Sequence, residues 1–136
     1  MALEPKHLIM LIEDDPVEAQ LYAKKLQIEG FDTVIVNSGK EGLVKVKEMK
    51  PSLVLLDLMM PGVDGYQVLI ELKGDPVTVN IPVIVLTNLE GENIAEKTKE
   101  LGATEHLIKS DSEPSKVVLH VRTAWVLIPP AALLKV

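Results

Sequence analysis

The sequence contains no cysteine, and aromatic residues make up only 3% of its 136 positions. Without cysteine the chain can form no disulfide framework, no thiolate metal site and no cysteine nucleophile, which is typical of a cytoplasmic protein. With so few aromatic rings, the core has to be built from leucine, valine and isoleucine. The length suits one domain with a core of its own.

Basic residues and long apolar runs are also scarce. Lysine and arginine together number 14 against 20 aspartates and glutamates, so the net charge is −6. This balance argues against a nucleic-acid surface, which needs a basic stripe. The first apolar run, 8–12, is followed at once by acids and is too short for a signal peptide or a membrane span. The composition therefore predicts a small, soluble, intracellular domain that binds neither nucleic acid nor membranes.

Short aliphatic runs alternate along the chain with segments of helical length. Three of the runs are almost continuously apolar, as strands are when helices cover both faces of a parallel sheet. The predicted strands are 8–12 (LIMLI), 53–57 (LVLLD) and 83–87 (VIVLT), with two weaker candidates at 33–36 (TVIV) and 105–108 (EHLI). Their strict alternation with helices predicts an α/β fold, a doubly wound five-stranded parallel sheet with helices on both faces.

The intervening segments carry helix start and stop signals. Asp15 can cap a first helix with Pro16 in its first turn, although the apolar residues of this helix fall on different faces. Capping-box spacing in SGKE (38–41) starts a second helix, which Pro51 closes. The other predicted helices are a third over about 66–73, a fourth that stops at Gly102, and a fifth, with the clearest apolar stripe, from Pro114 to Pro129-Pro130.

Acids, a hydroxyl and a lysine follow the predicted strands at their carboxyl ends, the edge where ligands bind in such sheets. The residues there are Glu13, Asp14, Asp15, Asp57, Thr87 and Lys109. Two carboxylates about 4 Å apart repel by roughly 4 kcal/mol at an effective dielectric near 20. A cluster of three therefore implies a hard divalent cation, and Mg²⁺ is the best candidate. Lys109 and Thr87 add a positive charge and a hydroxyl that suit a phosphate.

Asp57 ends a buried run and precedes a loop that contains Pro61-Gly62. A carboxylate placed there, beside a metal ion and a lysine, is positioned as a nucleophile toward phosphorus. The alternative is that each acid merely caps the helix after its strand, which fits Asp15 and can fit Asp14. It does not fit Asp57, because a Pro-Gly loop rather than a helix start comes next.

Four segments resemble, in order and spacing, the receiver domain of two-component response regulators: IEDDP, LLDLMMPGVDG, VIVLT and LIK. The resemblance covers about residues 6–128. It implies a regulatory domain rather than an enzyme, in which Asp57 accepts a phosphoryl group from a sensor histidine kinase or a histidine phosphotransfer protein, with Mg²⁺ as cofactor. The implied ligands are Asp14 directly, Glu13 through water, Asp57 and the backbone carbonyl of Met59 for the ion, and Thr87 and Lys109 for the phosphoryl oxygens.

Three positions depart from the pattern of that family. Ser110 replaces the proline that usually follows the lysine, so the isomer of the peptide between them stays open. His106 replaces the switch aromatic, and it is either a rotamer switch or an edge-strand histidine without a signalling role. Asn88 follows Thr87 where a small residue is usual. It would crowd the entrance for the phosphoryl group, and it is expected to tune the loss of phosphate together with Met59 and Leu89.

The resemblance also implies how a signal leaves the domain and how long it lasts. A shift of Thr87 toward an aspartyl phosphate would alter the face formed by residues 88–108 and the start of the last helix, where a downstream protein effector is expected to bind. The positions two residues after the aspartate and after the threonine influence the loss of phosphate in receivers. Here they are Met59 and Leu89, which cannot orient a water molecule, so a long-lived phosphorylated state is expected.

Three other classes compete with this interpretation. An aspartate-nucleophile phosphatase of the haloacid dehalogenase type needs a second aspartate where Met59 stands. A nucleotide-binding flavodoxin-like or Rossmann protein needs a glycine-rich first loop, whereas EDDP (13–16) would repel a pyrophosphate. A pseudo-receiver, an interaction module of the same fold that works without phosphate, remains the principal alternative.

The chain divides into a receiver domain, 1–128, and an apolar tail, 129–136. No output domain fits after residue 128, so we expect either a stand-alone receiver or a fragment of a longer regulator. The tail carries more apolar surface than an exposed terminus normally does. It is either a linker stub or part of a homodimer interface with the last helix.

Overall fold

The computed structural model describes residues 7–89 and 92–126. Within these residues five strands alternate with five helices, and a short 3₁₀ turn, Lys109–Asp111, follows the last strand. The bounds are β1 Leu8–Ile12, α1 Pro16–Ile28, β2 Asp32–Val36, α2 Gly39–Met49, β3 Leu53–Leu56, α3 Gly65–Gly74, β4 Val83–Thr87, α4 Glu92–Glu100, β5 Glu105–Ile108 and α5 Pro114–Val126. All five predicted strands are confirmed, and Asp57 is the first residue beyond β3.

The strands form one parallel sheet in the order β2-β1-β3-β4-β5. Every residue of β3 and β4 is buried, because helices cover both faces of the sheet. On one face Leu26 of α1 and Val121 of α5 belong to the same cluster as Leu11. On the other face Val46 of α2 and Leu69 of α3 complete a second cluster. The predicted doubly wound fold is confirmed.

Side chains cap the starts of three helices. Asp15 accepts hydrogen bonds from two backbone N–H groups in the first turn of α1, at 2.9 and 3.2 Å. Ser38 accepts one from the first turn of α2 at 3.2 Å, and both caps were predicted. Asp64 accepts one from α3 at 2.9 Å, so α3 begins at Gly65, one residue earlier than the sequence pattern predicted.

Helices α1 and α5, which pack on the same face of the sheet, differ in how clearly their apolar residues form one stripe. In α1, Tyr22 and Leu26 are buried, whereas Leu21 and Ile28 are 56% and 70% exposed, which agrees with the prediction that its apolar residues are divided. In α5, the buried residues of the predicted stripe are Val117, Val121 and Ala124.

The end of the predicted stripe, the Pro129-Pro130 boundary and the tail 129–136 lie outside the described residues. Self-association through the last helix and tail therefore stays a prediction. Among the helices that the structure describes, none has the length and apolar character needed to cross a membrane.

Candidate functional site

The pairing of β1 with β3 places two acids side by side at the carboxyl edge of the sheet. Ile12 lies opposite Leu56 in the register, and the backbone N–H of Asp57 donates to the carbonyl of Ile12 at 3.1 Å. Glu13 and Asp57 are thus the first residues beyond two adjacent strands. Between β1 and β3 the strand order changes direction, which is where doubly wound sheets bind their ligands.

The side chain of Lys109, which follows the edge strand β5, contacts both of these acids. It is the first residue after β5, and its side chain is only 8% exposed. Its Nζ donates to Oε1 of Glu13 at 2.8 Å, to Oε2 of Glu18 at 2.5 Å and to Oδ2 of Asp57 at 3.4 Å. A single ammonium group therefore links three carboxylates from two segments of the chain, residues 13–18, which run from the end of β1 into α1, and the residue after β3.

Burial and these contacts shift the protonation equilibria of the pocket. Burial raises the pKa of Glu13 well above its ordinary value, and hydrogen bonding to Asp57 adds to the rise, whereas Lys109 lowers it. Burial alone would lower the pKa of Lys109, but hydrogen bonds to Glu13 and Glu18 outweigh that effect and raise it. The contacts therefore favour the cationic form of Lys109, whereas burial favours the neutral form of Glu13.

The acids of the pocket fit a divalent cation. Carboxylate oxygens of Glu13, Asp14 and Asp57 lie within 4.8 Å of one another. Oε2 of Glu13 is buried and has no hydrogen-bond partner, which is costly for a polar atom. Oxygen ligands of this kind are those that Mg²⁺ prefers. A cation would neutralise the cluster and also satisfy the orphaned oxygen.

These side chains line an open pocket of about 250 Å³, which also includes two of the residues expected to tune the loss of phosphate. Met59 is 57% exposed, and its backbone N–H donates to Oδ1 of Asp57 at 3.2 Å. Asn88 is exposed at the same opening. Both therefore stand where a group approaching Asp57 has to pass.

Three other residues singled out in the sequence do not line this pocket: Thr87, Leu89 and His106. Thr87 is fully buried at the end of β4, and its hydroxyl accepts a hydrogen bond from the N–H of Leu89 at 3.3 Å. His106 lies on β5 opposite Val85 of β4. Its Nε2 is buried without a hydrogen-bond partner, and burial lowers the pKa of the imidazole, which favours its uncharged form.

The peptide between Lys109 and Ser110 is trans, like every peptide bond in the part of the chain that the structure describes. The isomer that the sequence left open is thereby assigned in this conformation.

Sequence reasoning did not identify Gly65 as part of the site. A Cβ atom at this position would lie 2.3 Å from the carbonyl oxygen of Asp57 and 2.4 Å from Cα of Leu58. The N–H of Gly65 also donates to the carbonyl of Leu58 at 3.1 Å. The first turn of α3 therefore rests directly on the backbone that carries Asp57, at a distance that only glycine permits.

Sequence reasoning also missed Glu18, whose carboxylate contacts Lys109. No local signal pointed to this contact, because Lys109 lies 91 positions further along the chain.

The fold and the pocket together define a doubly wound domain with a carboxylate cluster beside a buried lysine. Comparison with known families adds that the model of the response regulator receiver domain matches residues 9–122. The chain belongs to this family, the regulatory phosphoacceptor domain of two-component systems, and the resemblance noted in the sequence is confirmed.

Individual relatives agree with this assignment. The DNA-binding response regulator MtrA of Mycolicibacterium smegmatis is 35% identical over 114 residues, which cover 84% of this chain and 48% of MtrA, so the chain spans about half the length of that relative. The beryllofluoride-activated N-terminal receiver domain of RstA from Klebsiella pneumoniae has a TM-score of 0.78 and 29% identity, covering 87% of this chain and 97% of that one. The Mn²⁺-bound form of response regulator Rcp1 has a TM-score of 0.76 and 28% identity, covering 90% and 96%.

Proposed function

We propose that this chain is the phosphoacceptor of a two-component phosphorelay, in which Asp57 accepts a phosphoryl group from a sensor histidine kinase or a histidine phosphotransfer protein. The observation that carries the proposal is the carboxylate of Asp57, which lies 3.4 Å from the ammonium of Lys109 and forms a cluster with the carboxylates of two further acids. An oxygen of Asp57 attacks phosphorus while the bond from phosphorus to the donor breaks, and its electron pair leaves with the donor. No base is needed, because the nucleophile is already a carboxylate.

Mg²⁺ fits this function as the resident cofactor. Glu13, Asp14 and Asp57 would hold it together with the backbone carbonyl of Met59, and the bound ion neutralises charge on the transferring group. The support from this chain is the cluster of carboxylate oxygens within 4.8 Å, and a relative of the same family binds Mn²⁺. Lys109 supplies the second positive charge, and Thr87 supplies a hydroxyl donor for a phosphoryl oxygen.

The signal would leave through the segment after β4. The hydroxyl of Thr87 holds the N–H of Leu89, so a turn of Thr87 toward an aspartyl phosphate releases that contact and loosens the following residues. This supports a downstream effector surface around residues 88–108 and the start of α5. Amide shifts on addition of beryllofluoride and Mg²⁺ should be large there. Shifts confined to the acidic pocket would contradict this route.

Labelling by radioactive acetyl phosphate tests the proposed function. We expect Mg²⁺-dependent labelling of the parent protein and its loss in Asp57→Asn. Asp32→Asn is the matched control, because Asp32 is an exposed aspartate at the start of β2, and it should label normally. A parent protein that takes up no label would contradict the proposal and favour a pseudo-receiver, and label that persists in Asp57→Asn would exclude this acceptor.

A further inference from the structure

Glu18 takes part in the pocket without an assigned role in the proposed phosphoryl transfer. Its carboxylate, 35% exposed, is the nearest of the three that contact Nζ of Lys109, at 2.5 Å against 2.8 Å for Glu13 and 3.4 Å for Asp57. It does not belong to the group of carboxylates that lie close enough to share a cation. Among the described contacts, its ion-pair partner is Lys109 alone.

The backbone of Glu18 is fixed in a position that favours this contact. Glu18 lies in the first turn of α1, and its N–H donates to the capping carboxylate of Asp15 at 3.2 Å. The side chain thus extends from an anchored helix start across the mouth of the pocket to Lys109. Such anchoring lowers the entropy lost when the ion pair forms.

We infer that Glu18 is a positioning residue that draws the ammonium of Lys109 toward itself and competes with the phosphoryl group for the lysine. This inference rests on the proposed function. A lysine ammonium has three donors, and here the two shorter contacts go to Glu13 and Glu18, which leaves Asp57 the longest one. All three donors are therefore engaged, so an incoming phosphoryl oxygen has to compete with these contacts for Lys109. The contact with Glu18 is the one on the open side of the pocket.

Affinity for beryllofluoride, a stable mimic of the phosphoryl group, measures this competition. Glu18→Gln should bind beryllofluoride about two- to fivefold more tightly in the presence of Mg²⁺, the range expected when a partly exposed ion pair no longer has to be broken. Glu18→Asp keeps the charge but withdraws the carboxylate by one methylene, and should gain affinity in the same direction. If only the removal of charge matters, Glu18→Asp will match the parent, and the inference is then wrong.

The matched control is Glu29→Gln, which removes the same charge from an ion pair at the other end of α1, with Lys25 at 3.3 Å. Its beryllofluoride affinity should equal that of the parent. The NMR signal of the Lys109 ammonium should shift in both Glu18 variants and stay in place in Glu29→Gln, which a purely structural effect on α1 would not produce.

The outcomes separate this inference from the proposed function. A parent protein that binds no beryllofluoride and takes no label from acetyl phosphate overturns the proposed function itself. A parent that binds beryllofluoride, together with a Glu18→Gln variant of unchanged affinity and an unshifted Lys109 signal, overturns only the role of Glu18.

Discussion

Replacing Gly65 by alanine tests whether the start of α3 fixes the backbone that carries the phosphoacceptor. The added Cβ would lie 2.3 Å from the carbonyl oxygen of Asp57 and 2.4 Å from Cα of Leu58, so that backbone or the helix has to move by about 1 Å to restore an ordinary contact. Overpacking of this kind costs about 1–3 kcal/mol of the free energy of unfolding. A displacement of about 1 Å at a reacting group can slow a reaction by about a hundredfold, so labelling of Asp57 should slow sharply as well.

Gly74, at the other end of the same helix, provides the control, because a Cβ there meets nothing within 4 Å. Gly74→Ala should be neutral or slightly stabilising, since alanine restricts the unfolded chain more than glycine does. Urea unfolding would measure both stabilities, and the initial rate of labelling by acetyl phosphate would measure the site. A Gly65→Ala variant as stable and as rapidly labelled as Gly74→Ala would refute the argument.

Two further predictions concern the same pocket. Folding raises the pKa of Glu13. Without metal, the neutral form of Glu13 therefore contributes its full stability below the ordinary glutamate pKa, and this contribution is lost as the pH rises toward the pKa that Glu13 has in the folded protein. Binding of Mg²⁺, in contrast, requires the ionised carboxylate. The stabilisation by Mg²⁺ that thermal unfolding measures should therefore grow as the pH rises from about 5 to about 8. A stabilisation that does not change with pH would contradict this prediction, and so would a pH dependence that persists in Glu13→Gln. Met59→Asn combined with Leu89→Glu should speed the loss of phosphate from the labelled protein by placing polar groups where a water has to be oriented. The control is Met49→Asn combined with Val79→Glu, at two residues that are exposed elsewhere, and equal decay in the two double variants would refute the assignment.

The sequence predicted which residues meet because the carboxyl ends of parallel strands share one edge. Glu13 and Asp57 are each the first residue after a buried strand, and Lys109 follows β5, so the order of strands is enough to bring them together. The fold could be predicted from the sequence for a similar reason, because nearly continuous aliphatic runs are typical of strands that helices cover on both faces.

The features that the sequence did not reveal depend on side-chain reach and on loop paths. The contact of Glu18 with Lys109 joins residues 91 positions apart, and no local pattern encodes it. The need for glycine at position 65 arises from how closely α3 approaches the backbone at Asp57, which depends on the course of the loop 57–64. The burial of Nε2 of His106 likewise depends on its surroundings in the fold rather than on its own residue type.

The span of chain between the partners of Lys109 has a consequence for when the domain becomes competent. Glu13 and Lys109 are 96 positions apart, and Asp57 and Lys109 are 52 apart. During synthesis the acids emerge first, and the lysine follows only with β5, the strand at the edge of the sheet. Contacts between such distant residues form late, because the intervening chain must be closed first. A chain that has not yet added β5 carries the acids without Lys109, so in the proposed relay the ability to accept phosphate requires that the chain has folded at least as far as β5.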